Sequence, residues 1–129
     1  MAYAFTASVA KYRIASRLYY LYTIIETGIT AGTDEFTIEN LPFRGTILQH
    51  KSVLAAGTGN ATTVDPELGE ATTTKEVFEN GAAGAAPVNM NLAKGYSATK
   101  LFGRSQANGT VSGANGKVTT TITIVEGAL

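Results

Sequence analysis

The chain has 129 residues, enough for one domain with a real core, and a formal net charge of zero with only 16% charged residues. So little charge gives a weak field for steering nucleic acid or an anionic membrane, and little self-repulsion to hold copies apart, which suits a protein that ends in an assembly. No cysteine and a single histidine exclude disulfides, thiolate metal sites and His-rich metal cages.

In chain order, Met1 to Ala10 is small and apolar, with Tyr3, Phe5, Ala7 and Val9 alternating with Ala4, Thr6 and Ser8. That pattern predicts an edge strand, or an arm that docks on a neighbouring subunit. The charges of this segment follow its apolar part, whereas a secretory signal has them in front, so synthesis in the cytosol is expected. No apolar run reaches membrane-spanning length, and no membrane partner is expected. Lys11, Arg13 and Arg17 alternate with Tyr12 and Ile14 as one polar edge. A basic stripe with aromatics can bind single strands. Three cations in a neutral chain favour a solvated or interface edge instead, so no nucleic-acid partner is expected.

Arg17 to Glu26, RLYYLYTIIE, is apolar or aromatic on both of its period-two faces. Helical spacing also fits Ile14, Leu18, Leu21, Tyr22 and Ile25, but Tyr and Ile favour a pleated surface, and a central strand buried on both faces is predicted. After the turn-rich Thr27 to Asp34, the segment EFTIENL directs Phe36, Ile38 and Leu41 inward, and Pro42 ends it. The next strand runs from Thr46 through Ala55, with Ile47 and Leu48 as anchors and His50 partly exposed.

Residues 56–86 read as a long connecting region. Within it Asp65-Pro66-Glu67-Leu68-Gly69 has turn chemistry. Asp65, Glu67 and Glu70 are the residue type that meets a hard cation, but they lack the spacing of a helical calcium hand, and a solvated loop is predicted. Thr73-x-x-Glu76 is a capping box that predicts one short helix near Thr74 to Glu79, stopped by Asn80-Gly81. Pro87 to Leu92 alternates as a short strand, and Gly103-Arg104 could present a guanidinium to a carboxylate or phosphate, but a bulge with an exposed arginine is predicted instead. Asn108-Gly109 and Asn115-Gly116 are hairpin dipeptides, and Lys117 to Glu126, KVTTTITIVE, is a clear strand and the natural partner of a core strand. The sequons at Asn60 and Asn108 carry no weight without a secretory signal.

Taken together these elements predict one all-β domain over residues 1–129, a β-sandwich or jelly-roll-like barrel with at most one short helix. No nucleophile elbow, phosphate-cradling loop or placed carboxylate pair is present in the sequence, so neither catalysis nor a cofactor or metal is expected. The succession of the Tyr-rich strand, FTIENLPFRGTI, AAGTGNATTVDPELG, GYSATKLFGRS and VTTTITIVEG resembles the small all-β virion proteins of tailed bacteriophages, most closely in style the capsid decoration (cement) proteins. The resemblance implies a non-enzymatic structural protein on the capsid surface, made in the host cytoplasm. It implies bridging of major capsid protein subunits, and a homo-oligomer with a trimer favoured. A tail or head-to-tail connector protein and a ligand-binding β-sandwich module are the alternatives. Tyr3, Phe5, Val9, Lys11, Arg13 and Arg104 are the candidate interface residues.

Overall fold

The computed structural model describes residues 3–29, 35–42, 44–70, 78–79, 88–97 and 99–127. They form a β-sandwich, all of whose paired strands are antiparallel. In chain order the strands are β1 (Ala4–Ile14), β2 (Arg17–Thr27), β3 (Phe36–Ile38), β4 (Arg44–Ala55), β5 (Val64–Gly69), β6 (Phe78–Glu79), β7 (Val88–Ser97), β8 (Leu101–Ala107) and β9 (Lys117–Glu126). One sheet has the order β1-β2-β9-β4-β7 and the other β3-β8-β5-β6.

The core lies between the two inner faces. Tyr20, Tyr22 and Ile24 of β2, Ile122 and Ile124 of β9 and Ile47 of β4 meet Phe36, Ile38, Leu68 and Leu101 of the smaller sheet. A second cluster, with Ile29, Leu54, Val64, Val111 and Val118, fills one end. β9 pairs with β2 from Tyr19↔Val125 to Glu26↔Val118 and with β4 on its other side, as its alternation predicts. Gly103 is needed for close approach: directly opposite it, the Phe36 ring occupies the space a Cβ would take.

Several expectations are corrected. β2 is buried on one face only; on the other, Leu21 is 36% exposed, and Tyr19, Thr23 and Ile25 are partly exposed. The apolar outer residues are therefore a half-covered sheet face and not a second core. Asp65 to Gly69 is no turn but part of β5, in unbroken register with β8 from Val64↔Ala107 to Gly69↔Phe102. Val64, Pro66 and Leu68 alternate into the core and outweigh the turn punctuation. The predicted helix falls mostly on residues outside those described, but its last two positions, Phe78 and Glu79, are strand β6 paired with β5.

His50 is buried, not partly exposed. The register of β4 shifts between Ile47 and Gln49 against both of its neighbours. Against β9 the extra residue is Leu48, which changes the phase of the alternation, so Ile47, His50, Ser52 and Leu54 all end up buried; against β7 the extra residue is in β7, between Asn91 and Lys94. Burial lowers the His50 pKa from 6.5 to about 4, because the charged ring would lose its hydration.

The folded chain holds His50 neutral, while the unfolded chain protonates it below its ordinary value. The stability from the neutral ring is complete above pH 6.5 and is lost as pH falls through about 4. Urea unfolding should therefore show wild type losing more stability than His50→Gln between neutral pH and about pH 4, by on the order of 3 kcal/mol. Equal pH slopes in the two proteins would refute this assignment.

Candidate interaction surface

β1 joins β2 through two residues, Ala15 and Ser16, and the pairs Ile14↔Arg17 to Ala4↔Thr27 follow without a bulge. A two-residue connection closes on a hydrogen-bonded pair. The even-numbered residues of β1 therefore exchange their backbone bonds with β2. The N–H and C=O groups of Phe5, Ala7, Val9, Lys11 and Arg13 point to the open edge. Every residue of β1 is exposed.

The side chains of the same odd-numbered residues lie on the face toward the smaller sheet, because their partners Glu26, Ile24, Tyr22, Tyr20 and Leu18 face the core. β3 is only three residues long and does not cover them. Phe5 and Val9 are thus left 37% and 44% exposed. They border a cleft of about 420 Å³ whose other side is Thr37, Ile38, Glu39 and Asn40. Phe5 lies against Phe36 with ring centroids 6.3 Å apart. Lys11 Nζ sits 5.6 Å from the centroid of the Tyr20 ring, and Arg13 Nη1 donates to the Ser16 carbonyl at 3.4 Å.

The start of β1 is fixed by a buried acid. Glu26 accepts hydrogen bonds from Tyr3 Oη at 2.8 Å and from Ser105 Oγ at 2.6 Å, which ties β1 and β2 to β8 across the sandwich. Nothing local in the sequence distinguishes Glu26 from a solvated strand-end acid; only the fold brings Tyr3 and Ser105 to it.

Five of the six candidate interface residues, Tyr3, Phe5, Val9, Lys11 and Arg13, therefore share one side of the first hairpin. Arg17 pairs with Ile14, on the opposite face from Lys11 and Arg13, so the three cations do not form a single stripe. Arg104 belongs elsewhere. It lies in regular register on β8, without the predicted bulge, with its side chain only 15% exposed. Its Nε is 3.3 Å from Oε1 of buried Glu67. Asp65 and Glu67 lie in β5 and not in a solvated loop, and among the described residues no group of three or more His, Cys, Asp or Glu is placed to hold a metal ion.

On the outer face of the larger sheet, Ser8, Ala10, Leu21, Thr23, Thr121 and Thr123 occupy adjacent positions across β1, β2 and β9 and carry no charge. Tyr12 stacks on Tyr19 beside them, with centroids 5.3 Å apart and planes 8° from parallel. A further cleft, of about 520 Å³, lies beside Arg44, Glu70 and Tyr96. Its acid is engaged, since Glu70 Oε1 accepts from the Ser97 amide at 2.6 Å. At the other end of the sandwich the two predicted turn regions brace each other. Asn108 Oδ1 accepts from the amides of Thr62 and Thr63, and Asn60 Oδ1 from that of Thr110. Both sequon asparagines thus have structural work.

Two substitutions test these contacts. Ser105→Ala removes a bond to a buried carboxylate and should lower unfolding free energy by about 1.5–3 kcal/mol. Arg104→Met leaves Glu67 buried without this cation and should cost about 3–5 kcal/mol. Denaturant titration measures both, and a loss below about 0.5 kcal/mol would show that the contact contributes little. No protein-family model matches the chain, and no curated protein matches it in sequence.

Proposed function

We propose that this protein is a non-enzymatic structural component of a virion, which binds the capsid shell and stabilises it by bridging major capsid protein subunits. The observation that carries this proposal is the exposed first strand. Ala4–Ile14 is open along its whole length and borders an uncharged patch of the outer sheet face, from Ser8 and Ala10 through Leu21 and Thr23 to Thr121 and Thr123. A long strand edge with no Pro, Gly or bulge is a template for pairing, and isolated folded domains usually blunt such edges. Zero net charge supports the same role, since docking on a protein lattice then meets little repulsion. The resemblance of the sequence to phage decoration proteins supplies the class of partner.

The test is light scattering of the purified chain with and without empty capsid shells of the cognate virion. Saturable binding at high copy number is expected. Leu21→Glu places a charge in the centre of the neutral outer face and should weaken shell binding at least about tenfold, with the circular dichroism spectrum unchanged. A chain indifferent to shells would overturn the proposal, and binding at only a few copies per particle would favour a connector role.

A further inference from the structure

We propose that the open edge of β1 is closed by β1 of a second copy, antiparallel about a twofold axis at Val9, which joins two five-stranded sheets into one continuous sheet. This rests on the reading of β1 as a docking surface and names its occupant.

Three features of the strand support self-pairing. The first is backbone parity. The groups that face the edge belong to Phe5, Ala7, Val9, Lys11 and Arg13. In an antiparallel pair centred on Val9, Val9 meets Val9, Ala7 meets Lys11 and Phe5 meets Arg13 of the second copy. Every edge-facing residue then meets an edge-facing residue, so all their N–H and C=O groups are paired. The overlap runs over the whole of Ala4–Ile14.

The second feature is charge. Lys11 and Arg13 lie at one end of the strand, and the apolar residues Phe5, Ala7 and Val9 at the other. Antiparallel pairing keeps the cations of the two copies apart, whereas parallel pairing would set like charge on like charge. It also delivers Lys11 and Arg13 of the second copy opposite Ala7 and Phe5. These residues line the cleft whose far rim carries Glu39. Glu39 is exposed and only 3.2 Å from Lys100, at a site open to solvent, so it remains accessible to an incoming cation.

The third feature is the absence of protection. β1 has no proline, glycine or bulge, and only its two cations would discourage pairing. Self-pairing in this register turns those cations into partners of the cleft.

A paired sheet also accounts for bridging. It carries two copies of the neutral outer face, related by the twofold, and each can engage one shell subunit.

The test is sedimentation equilibrium and hydrogen exchange on the full chain. A dimer is expected. Val9→Pro removes an N–H that points to the open edge and bonds nothing among the described residues of the monomer, so the variant should fold normally yet dissociate at least about a hundredfold more readily. Ala7→Lys, set opposite Lys11 of the second copy, should weaken the dimer severalfold, and Ala7→Glu should tighten it. On dilution the amides of Phe5, Ala7, Val9, Lys11 and Arg13 should lose protection, while those of Thr6, Ser8, Ala10 and Tyr12 keep theirs. A trimer, a dimer untouched by Val9→Pro, or a monomer at all concentrations would each overturn the inference. A monomer that still saturates shells would do so while leaving the proposed function standing. A dimer with the predicted responses that ignores shells would support the inference and overturn the function.

Discussion

The larger sheet depends on β9. Its two edges are taken by β2 and β4, strands far from it and from each other in sequence, and its inward residues Ile122 and Ile124 lie at the centre of the core. Without it β2 and β4 have no common partner and the first hairpin has no attachment to the rest of its sheet. The seat between them is shaped by polar as well as apolar groups. Buried Ser52 of β4 and Thr120 of β9 share a hydrogen bond of 3.1 Å in a core that has few other ways to satisfy a hydroxyl. Because β2 joins the sheet through β9, and because β1 leads into β2 through a two-residue turn and pairs with its other edge, β1 is the outer strand. Its exposure is a consequence of topology, not of a loose chain end.

The smaller sheet explains why that outer strand is also uncovered on its inner side. β3, the edge strand of the smaller sheet on the side of β1, is only three residues long, so the layer that shields Tyr20, Tyr22 and Ile24 stops before it reaches β1. Phe36 reaches furthest, over Gly103 on one side and toward Phe5 on the other. Beyond it the cleft begins. The sandwich is thus asymmetric: closed at β9, where both layers are deep, and open at β1, where one layer is missing. The buried Glu26, held by Tyr3 and Ser105, marks the boundary between the two regimes.

How much of this can be read in the sequence varies from element to element. The Thr/Ile alternation of Lys117 to Glu126 points to its faces directly, since period two is a local property, whereas the second strand is apolar on both faces, so its sequence shows a strand but not which face is half exposed. β5 is obscured because Pro66 and Gly69 speak for a turn, although Val64, Pro66 and Leu68 keep the strand's period. Its pairing with β8 decides the matter, and pairing is not local. His50 is misplaced for a different reason: a strand position inherits its face from its neighbours, and the one-residue bulge at Leu48 breaks that inheritance. Of the candidate interface residues, those on the first hairpin are legible as a group because they share one period. Arg104 is not, because its partner Glu67 is contributed by a strand that the sequence disguises.

The bulge at Leu48 has a consequence for how this chain can change. It divides β4 into two halves of opposite phase, one set by Ile47 and the other by His50, Ser52 and Leu54. Loss of Leu48 itself would join the two halves in one alternation, with Ile47, His50, Ser52 and Leu54 still on the buried face and Ser52 still opposite Thr120. Loss of a single residue in the exposed turns around Asn60 or Asn115 would move no strand across its sheet. A residue lost elsewhere within β4 meets no such slack, because part of the strand must then turn over or slide against β9, so Leu48 is a place where β4 can shorten and keep its register with β9.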